Sequence, residues 1–475
     1  MAENYWSEDE STEELDPISS LLSEWSDPED EEEEFRSDFF QGLAGRRQKA
    51  AFMLTAIWGV VIALHWFKWG AAAVALITAL VLWQGVRLMW AKPEPLPSIV
   101  SDAELPAAPS VSILVAAKNE ETVIANLVKM LCSLDYPADK YDVWIIDDSS
   151  TDRTPEILDR LTENHPGLNV LHRPPNSPGG KSGALNEVLA MTKGDIIGVF
   201  DADAHLQSDL LRYVVPLFGK KNVGAVQVRK SIANADVNFW TRGQAAEMAL
   251  DSYFQQQRIS MGGVGELRGN GQFVSREALD SCGGWNEQTI TDDLDLTIRL
   301  HLDNWKVDLL LDPAVDEEGV RDAISLWHQR NRWAEGGYQR YLDYWRFILK
   351  TPLGLSKKLD LFYFLFIQYL LPTAAIPDLA ASLVFGEAPM LSPITGVILI
   401  VSFWGMFTGL RRVNRPRRLS ELLNLSLQAF RGMIYMSHWF IIIPSVTARM
   451  SVRPKRLKWV KTVHDGTSST SEVSA

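Results

Sequence analysis

Cysteine is scarce in these 475 residues: Cys132 and Cys282 are the only two. That excludes a disulfide framework and any metal site built from several cysteines. Basic residues are scarce in one stretch. The first 40 residues hold sixteen Asp and Glu and a single arginine, Arg36, a charge of −15. The whole chain is −14, so the other 435 residues carry +1. The acidity belongs to a terminal segment and not to a fold. The basic residues are not grouped with interleaved aromatics, so a nucleic-acid groove is not expected. A charge-free apolar run near the first residue is missing too. The first such run starts near residue 50, too far in for a secretory signal.

What is present falls into blocks. Residues 1–45 read as an acidic disordered tail, densest at Asp30–Glu34. A solvating role is the simplest reading, although Trp6, Trp25, Phe35, Phe39 and Phe40 offer a short docking motif for a protein partner. Residues 49–91 hold two apolar runs, Ala50–Phe67 and Gly70–Val86, the second continued by Leu88–Trp90. Each approaches the roughly 20 residues that span hydrocarbon. Lys68 is the only charge between them, so a tight helical hairpin is expected. Arg46, Arg47 and Lys49 before it, and Arg87 and Lys92 at its end, place both flanks in the cytoplasm.

A proline-bearing linker, Pro93–Pro109, leads into residues 108–345. Buried-strand patterns at Val111–Val115, Tyr141–Ile146 and Ile196–Phe200 alternate with helical stretches at Glu120–Ser133, Thr154–Asn164 and Ser182–Thr192. That alternation predicts an α/β domain with a mostly parallel sheet. Apolar runs return in 360–448. Leu361–Pro377 and Ala388–Leu410 read as spans, whereas Gly432–Ala448 is weaker because it carries His438 and Pro444. The arginines 411, 412, 415, 417 and 418 and the basic residues 453–461 both belong in the cytoplasm by the same charge rule. A single crossing at 432–448 cannot satisfy both, so 419–448 is expected to be interfacial or re-entrant. Residues 449–475 read as a basic, then disordered, tail.

Ligands of open parallel sheets bind beyond the carboxyl ends of the strands. Here those ends are acidic. The second strand runs into Asp147-Asp148, the third into Asp201-Ala202-Asp203, and Thr291-Asp292-Asp293 follows later. Any one cluster alone could be a turn or a helix cap. Three on one rim repel each other unless a hard divalent cation, Mg²⁺ or Mn²⁺, lies among them. Magnesium is usually held by one or two carboxylates plus substrate phosphates, which points to a diphosphate ligand. The stretch Pro178–Gly183 is not a nucleotide-hydrolase phosphate loop, because the pattern needs glycine where Pro175 stands. Lys181 at a helix start still suits an anionic ligand. In Gln329-Arg330-Asn331-Arg332-Trp333 an arginine and an indole are spaced to grip a pyrophosphate or stack on a sugar.

As a set these residues resemble the family 2 glycosyltransferases of GT-A fold. The ordered elements are Asn119-Glu120, Asp147-Asp148, Lys181, Asp201-Ala202-Asp203, Gly269-Asn270-Gly271, Thr291-Asp292-Asp293 and Gln329-x-x-Arg332-Trp333. The last marks the membrane-integrated branch. The resemblance implies that Glu120 and Asp148, backed by Asp147, hold the uridine. It implies that Lys181 and Asp201 contact the ribose or phosphates, and that Asp203, with Asp201, ligates the metal. Asp293 stands where the family keeps its catalytic base. The family's Thr-Glu-Asp appears here as Thr291-Asp292-Asp293, which leaves the choice between Asp292 and Asp293 open. Gln329, Arg332 and Trp333 would hold the diphosphate and the acceptor near the membrane. The implied protein is an integral membrane hexosyltransferase with its catalytic domain in the cytoplasm, inverting the anomeric centre. Its layout resembles a cyanobacterial branch that moves glucose from UDP-glucose to diacylglycerol. A processive β-glycan synthase, cellulose-like or poly-N-acetylglucosamine-like, shares the catalytic set and is the alternative.

Overall fold

The computed structural model describes residues 46–452. The acidic tail at 1–45 and the basic stretch from 453 lie outside the described residues. The chain opens with the hairpin α1 (Arg46–Trp66) and α2 (Gly70–Trp90). The α/β part follows as β1 (Val111–Ala117), α3 (Ile124–Leu131), β2 (Tyr141–Asp147), α4 (Thr154–Thr162), β3 (Leu168–His172), α5 (Gly180–Leu189) and β4 (Ile196–Phe200). It continues through α6 (Leu210–Val214), β5 (Val223–Ile232), α7 (Phe239–Ser260), β6 (Gln272–Ser275), α8 (Arg276–Ser281), α9 (Asp292–Leu302) and β7 (Lys306–Glu317).

The seven strands lie in the order β3-β2-β1-β4-β6-β5-β7. All neighbours are parallel except β6, which runs antiparallel to both β4 and β5. In β1 the alternation of side chains feeds two cores. Ile113 and Val115 join Leu127 and Leu131 of α3 on one face. Leu114 joins Leu185 of α5 and Leu296 of α9 on the other. A strand buried on both faces reads as a near-continuous apolar run, which makes β1, β4 and the second half of β2 visible in the sequence. β2 lies on one side of β1 and β4 on the other, so the order reverses there. The crevice beyond the carboxyl ends of these strands is the place where such sheets bind ligands.

The long α10 (Ala323–Lys350) leads to α11 (Leu355–Leu365), a π turn at Phe366–Leu370, α12 (Leu371–Phe385), α13 (Ser392–Asn414), α14 (Leu419–Met436) and α15 (Trp439–Val452). Among the described residues four helices are long and apolar enough to cross a membrane: α1, α2, the 31-residue Leu355–Phe385 and α13. The apolar run Leu361–Pro377 is therefore the middle of a longer helix, loosened by its π turn. The run Gly432–Ala448 is not one helix. The chain turns at Ser437–His438, between α14 and α15.

Candidate active site

The rim at the ends of β1, β2 and β4 carries two connected clusters. In the first, Lys181 enters on the first turn of α5. Its Nζ donates to Asp201 Oδ1, just past β4, at 2.5 Å. Asp292 and Asp293 face the same ammonium and, with Asp201, hold its pKa above the ordinary lysine value against the cost of burial. From the opposite side Arg332 faces Asp201, Asp293 and Asp292. Residues separated by up to 151 positions thus meet around one charge balance. Asp201 remains ionised: burial opposes this, but Lys181 outweighs it and lowers the carboxyl below its usual range.

Asp293 behaves differently. Burial, and next the charge of Asp292 beside it, push its pKa up to about 6. Its Oδ1 accepts the N–H of Leu294 at 2.8 Å. Its Oδ2 lies next to Gly269, where an added Cβ would stand 3.5 Å away. Gly269 and Gly271 both have left-handed backbones, at φ +79° and +70°, which only glycine adopts without strain. Between them Asn270 is fully buried and accepts the N–H of Asp201 through Oδ1 at 3.2 Å. The glycine-rich stretch therefore joins the two acidic segments.

The second cluster lies at the ends of β1 and β2. Buried Arg173, one residue past β3, donates to Asp148 Oδ1 at 2.5 Å and to Glu187 Oε2 at 2.9 Å. Asp147 Oδ2 meets His172 Nδ1 at 2.8 Å, and its Oδ1 accepts the N–H of Ser150 at 3.0 Å. Glu120 is buried beside them, its N–H donating to Thr154 Oγ1. Asp203 is buried, and its Oδ2 accepts the N–H of Glu318, just past β7, at 3.0 Å.

The helix α10 brings Gln329, Arg332 and Trp333 to this rim. Its seat is a close one. A Cβ on Gly336 would lie 2.2 Å from Thr291 Oγ1, so glycine lets α10 press against the residue that precedes Asp292. The ring of Trp333 lies under two cations: the guanidinium of Arg330 at 4.0 Å and Nζ of Lys230 at 5.3 Å. Arg330 is fully buried and pairs with Glu247 Oε2 of α7 at 2.5 Å. The Oε1 of Gln329 is buried without a hydrogen-bond partner among the described residues.

Among the described residues no three acidic, histidine or cysteine groups converge to hold a metal ion by themselves. The donor chemistry still suits a hard cation completed by phosphate oxygens. Asp201, Asp292 and Asp293 bring hard carboxylate oxygens to the rim, and Asp292 Oδ2 is buried with no hydrogen-bond partner among the described residues.

The chain is similar to known proteins in sequence and in fold. The profile of glycosyltransferase like family 2 matches residues 108–336. Over 455 residues, 95% of each chain, the protein is 61% identical to a β-monoglucosyldiacylglycerol synthase of Synechocystis sp.. Over 470 residues it is 55% identical to the protein of the same name from Nostoc sp., covering 98% of this chain and all of that one. The chain belongs to the family 2 glycosyltransferases. Its fold is GT-A. A mannosyltransferase from Pyrobaculum calidifontis, solved with GDP-Man and Mn²⁺, superposes with a TM-score of 0.54 at 22% identity, over 80% of this chain and 98% of that one.

In this glycosyltransferase several site residues escaped the sequence reading. Lys230 faces both Asp201 and Asp293 and pairs with Glu317 at 2.8 Å. Arg268 also faces Asp293 and binds Asp251 at 2.7 Å. Gln227 steadies the glycine stretch, donating to Asn270 O at 2.8 Å and accepting the N–H of Arg268 at 2.6 Å. Arg173 holds Asp148. One signal was present: the polar end of β5, Gln227-Val228-Arg229-Lys230, is a basic strand terminus among acidic ones.

Proposed function

We propose that this glycosyltransferase moves glucose from UDP-glucose to the hydroxyl of 1,2-diacylglycerol, giving β-monoglucosyldiacylglycerol. The observation that carries this reading is the reach of the likeness to β-monoglucosyldiacylglycerol synthases. It covers the candidate membrane spans as well as the catalytic rim, and diacylglycerol is an acceptor dissolved in lipid.

Each residue then has a role. Glu120 and Asp148, backed by Asp147, hold the uridine. Lys181 and Asp201 take the ribose and phosphates. Gln329, Arg332 and Trp333 hold the diphosphate and the acceptor side of the sugar. Asp203, with Asp201, would hold Mg²⁺ or Mn²⁺ together with oxygens of the donor. When bound, the ion offsets the negative charge that develops on the leaving UDP. Lys181 and Arg332 supply fixed positive charge for the same purpose. Asp293 removes the proton from the acceptor hydroxyl, a contribution of ~10²–10⁴-fold for a placed general base. The hydroxyl oxygen bonds to the anomeric carbon as the bond to phosphate breaks on the opposite face. An α-linked donor thus gives a β-linked product, and no covalent enzyme intermediate is required. The basic flanks of the hairpin, Arg46, Arg47, Lys49, Arg87 and Lys92, support a catalytic domain on the cytoplasmic face.

The test is direct. Purified protein in detergent–lipid micelles is given Mg²⁺ or Mn²⁺, diacylglycerol and labelled UDP-glucose. A single labelled lipid, cleaved by a β-glucosidase and not by an α-glucosidase, is expected. Label in long chains with none on diacylglycerol would make the protein a glycan synthase instead.

A further inference from the structure

Helix α14 has three faces. Leu425, Ala429 and Gly432 are buried against α7 and α13, where Ala246 and Met406 receive them. Leu419, Leu423, Leu427, Phe430 and Ile434 form a second face, and each is more than half exposed. Their spacing of four, four, three and four confines them to an arc of about 80° at 3.6 residues per turn. Ser420, Asn424, Gln428 and Arg431 are also exposed and line an adjacent arc. Protein, apolar and polar sides of one helix match a cylinder lying at a membrane surface, with one side on its own domain, one in lipid and one in water. A large exposed apolar stripe on a chain bearing candidate spans calls for a lipid partner.

The last turn of α13 and the loop before α14 supply charge. The loop follows α13, a candidate span, so the stripe begins where that helix leaves the bilayer. Arg411, Arg412, Arg415, Arg417 and Arg418 are all exposed. Arg415 pairs with Asp312 at 2.9 Å, and Arg412 lies over the ring of Tyr253 at 4.9 Å. The guanidinium groups of Arg411, Arg417 and Arg418 make no ion pair among the described residues, while Glu421 Oε2 accepts the backbone N–H of Arg417 at 2.7 Å and of Arg418 at 3.2 Å. Juxtaposed basic residues of this kind attract anionic headgroups, and the attraction fades within a Debye length, about 8 Å at 0.15 M salt.

We propose that α14 and the arginine loop form a binding surface for anionic lipid in the leaflet under the catalytic domain. The apolar stripe enters the acyl boundary, and Arg411, Arg417 and Arg418 collect acidic headgroups around it. This surface is separate from the catalytic rim and does not depend on which acceptor the enzyme uses.

Quenching by labelled lipids tests it. The full chain carries Cys132→Ser and one new cysteine, Leu427→Cys on the apolar arc or Gln428→Cys on the polar arc, labelled with bimane; Cys282 is fully buried and stays. Each protein is reconstituted in phosphatidylcholine vesicles containing a small, equal fraction of doxyl-phosphatidylglycerol or doxyl-phosphatidylcholine. Bimane at 427 is expected to be quenched by lipid and shielded from aqueous iodide, and bimane at 428 the reverse. At 427 the anionic quencher is expected to act about three- to tenfold more strongly than the neutral one at equal fraction. That ratio falls to near one with Arg411→Gln, Arg417→Gln and Arg418→Gln combined, and also in 1 M salt. Equal quenching by the two lipids overturns the proposal, as does iodide access at 427. Selectivity that survives the triple substitution overturns the assignment to these arginines.

Discussion

Asp293 and Asp292 are neighbours in sequence but not equivalent in their surroundings. Asp293 is pushed up to about 6 by burial and by the charge of Asp292. A carboxylate acts as a base only when ionised, so its working range lies above that value. Transfer is expected to be level near pH 8 and to fall about tenfold per pH unit well below 6. With Asp292→Asn the repelling charge is gone and Asp293 ionises more readily. The acid limb of the pH–rate profile should then move to lower pH while the enzyme stays active. Asp293→Asn should lower kcat by ~10²-fold or more at every pH, with UDP binding kept. If Asp292→Asn is the dead variant and Asp293→Asn keeps a shifted profile, the roles of the two are exchanged. A pH series on both variants, with UDP affinity measured alongside, decides between these outcomes.

At the scale of elements, close packing places α10 against the acidic rim, and Gly336 makes that packing possible. Alanine there would put Cβ 2.2 Å from Thr291 Oγ1 and 2.4 Å from its Cγ2. Thr291 is β-branched and stiff, so the helix or the loop must shift. Overpacking of this kind costs about 1–3 kcal/mol, and here it moves α10 relative to the segment Thr291–Asp293. Gly336→Ala is expected to lower stability by that amount and kcat more than UDP affinity. Thr291→Ala in the same chain should restore part of both, which paired unfolding and rate measurements would show. No sequence pattern gives such a fit. Strands β1 and β4 and the second half of β2 were legible because strands buried on both faces spell near-continuous apolar runs. The acidic segments at their ends were legible because like charges at successive strand ends are uncommon. β6 was not legible: four residues carry no period, and its antiparallel direction follows from the chain's return, not from its composition. Lys230, Arg268 and Arg173 were missed for a related reason. Each is a cation in a strand or loop, and only the sheet order sets it opposite an acid distant in sequence.

For the whole molecule the question is how the α/β domain is fastened to the bundle of candidate membrane spans. α10 runs between them, and buried charge secures it. Asp343 of α10 pairs with Arg46 of α1, its Oδ1 taking Nε at 2.7 Å. Arg340 reaches Glu266 at 3.0 Å, and Arg268 reaches the same fully buried carboxylate at 2.7 Å. These cations hold Glu266 far below the usual carboxylate range despite its burial. Arg258 then bridges from this group, 3.6 Å from Glu266, to Asp360 of α11 at 3.0 Å. Asp360 also accepts the N–H of Val264 at 2.8 Å. Such a pair adds little net stability over apolar residues of the same shape, but removing one partner strands the other charge. Asp360→Asn keeps the volume and an acceptor for Val264 while removing the charge that faces Arg258. It should cost about 3–5 kcal/mol. Asp312→Asn removes an equally short contact, to Arg415 at 2.9 Å, but both side chains there are more than half exposed. It should cost less than about 1 kcal/mol. The thiol of Cys282 is fully buried and reports on unfolding in detergent through its reaction with a thiol reagent as temperature rises, in a Cys132→Ser background. Asp360→Asn is expected to expose Cys282 at a clearly lower temperature and Asp312→Asn to leave the curve in place. Coincident curves for the two variants would mean that the catalytic domain is held to the membrane helices by apolar packing alone, with the buried ions contributing only orientation.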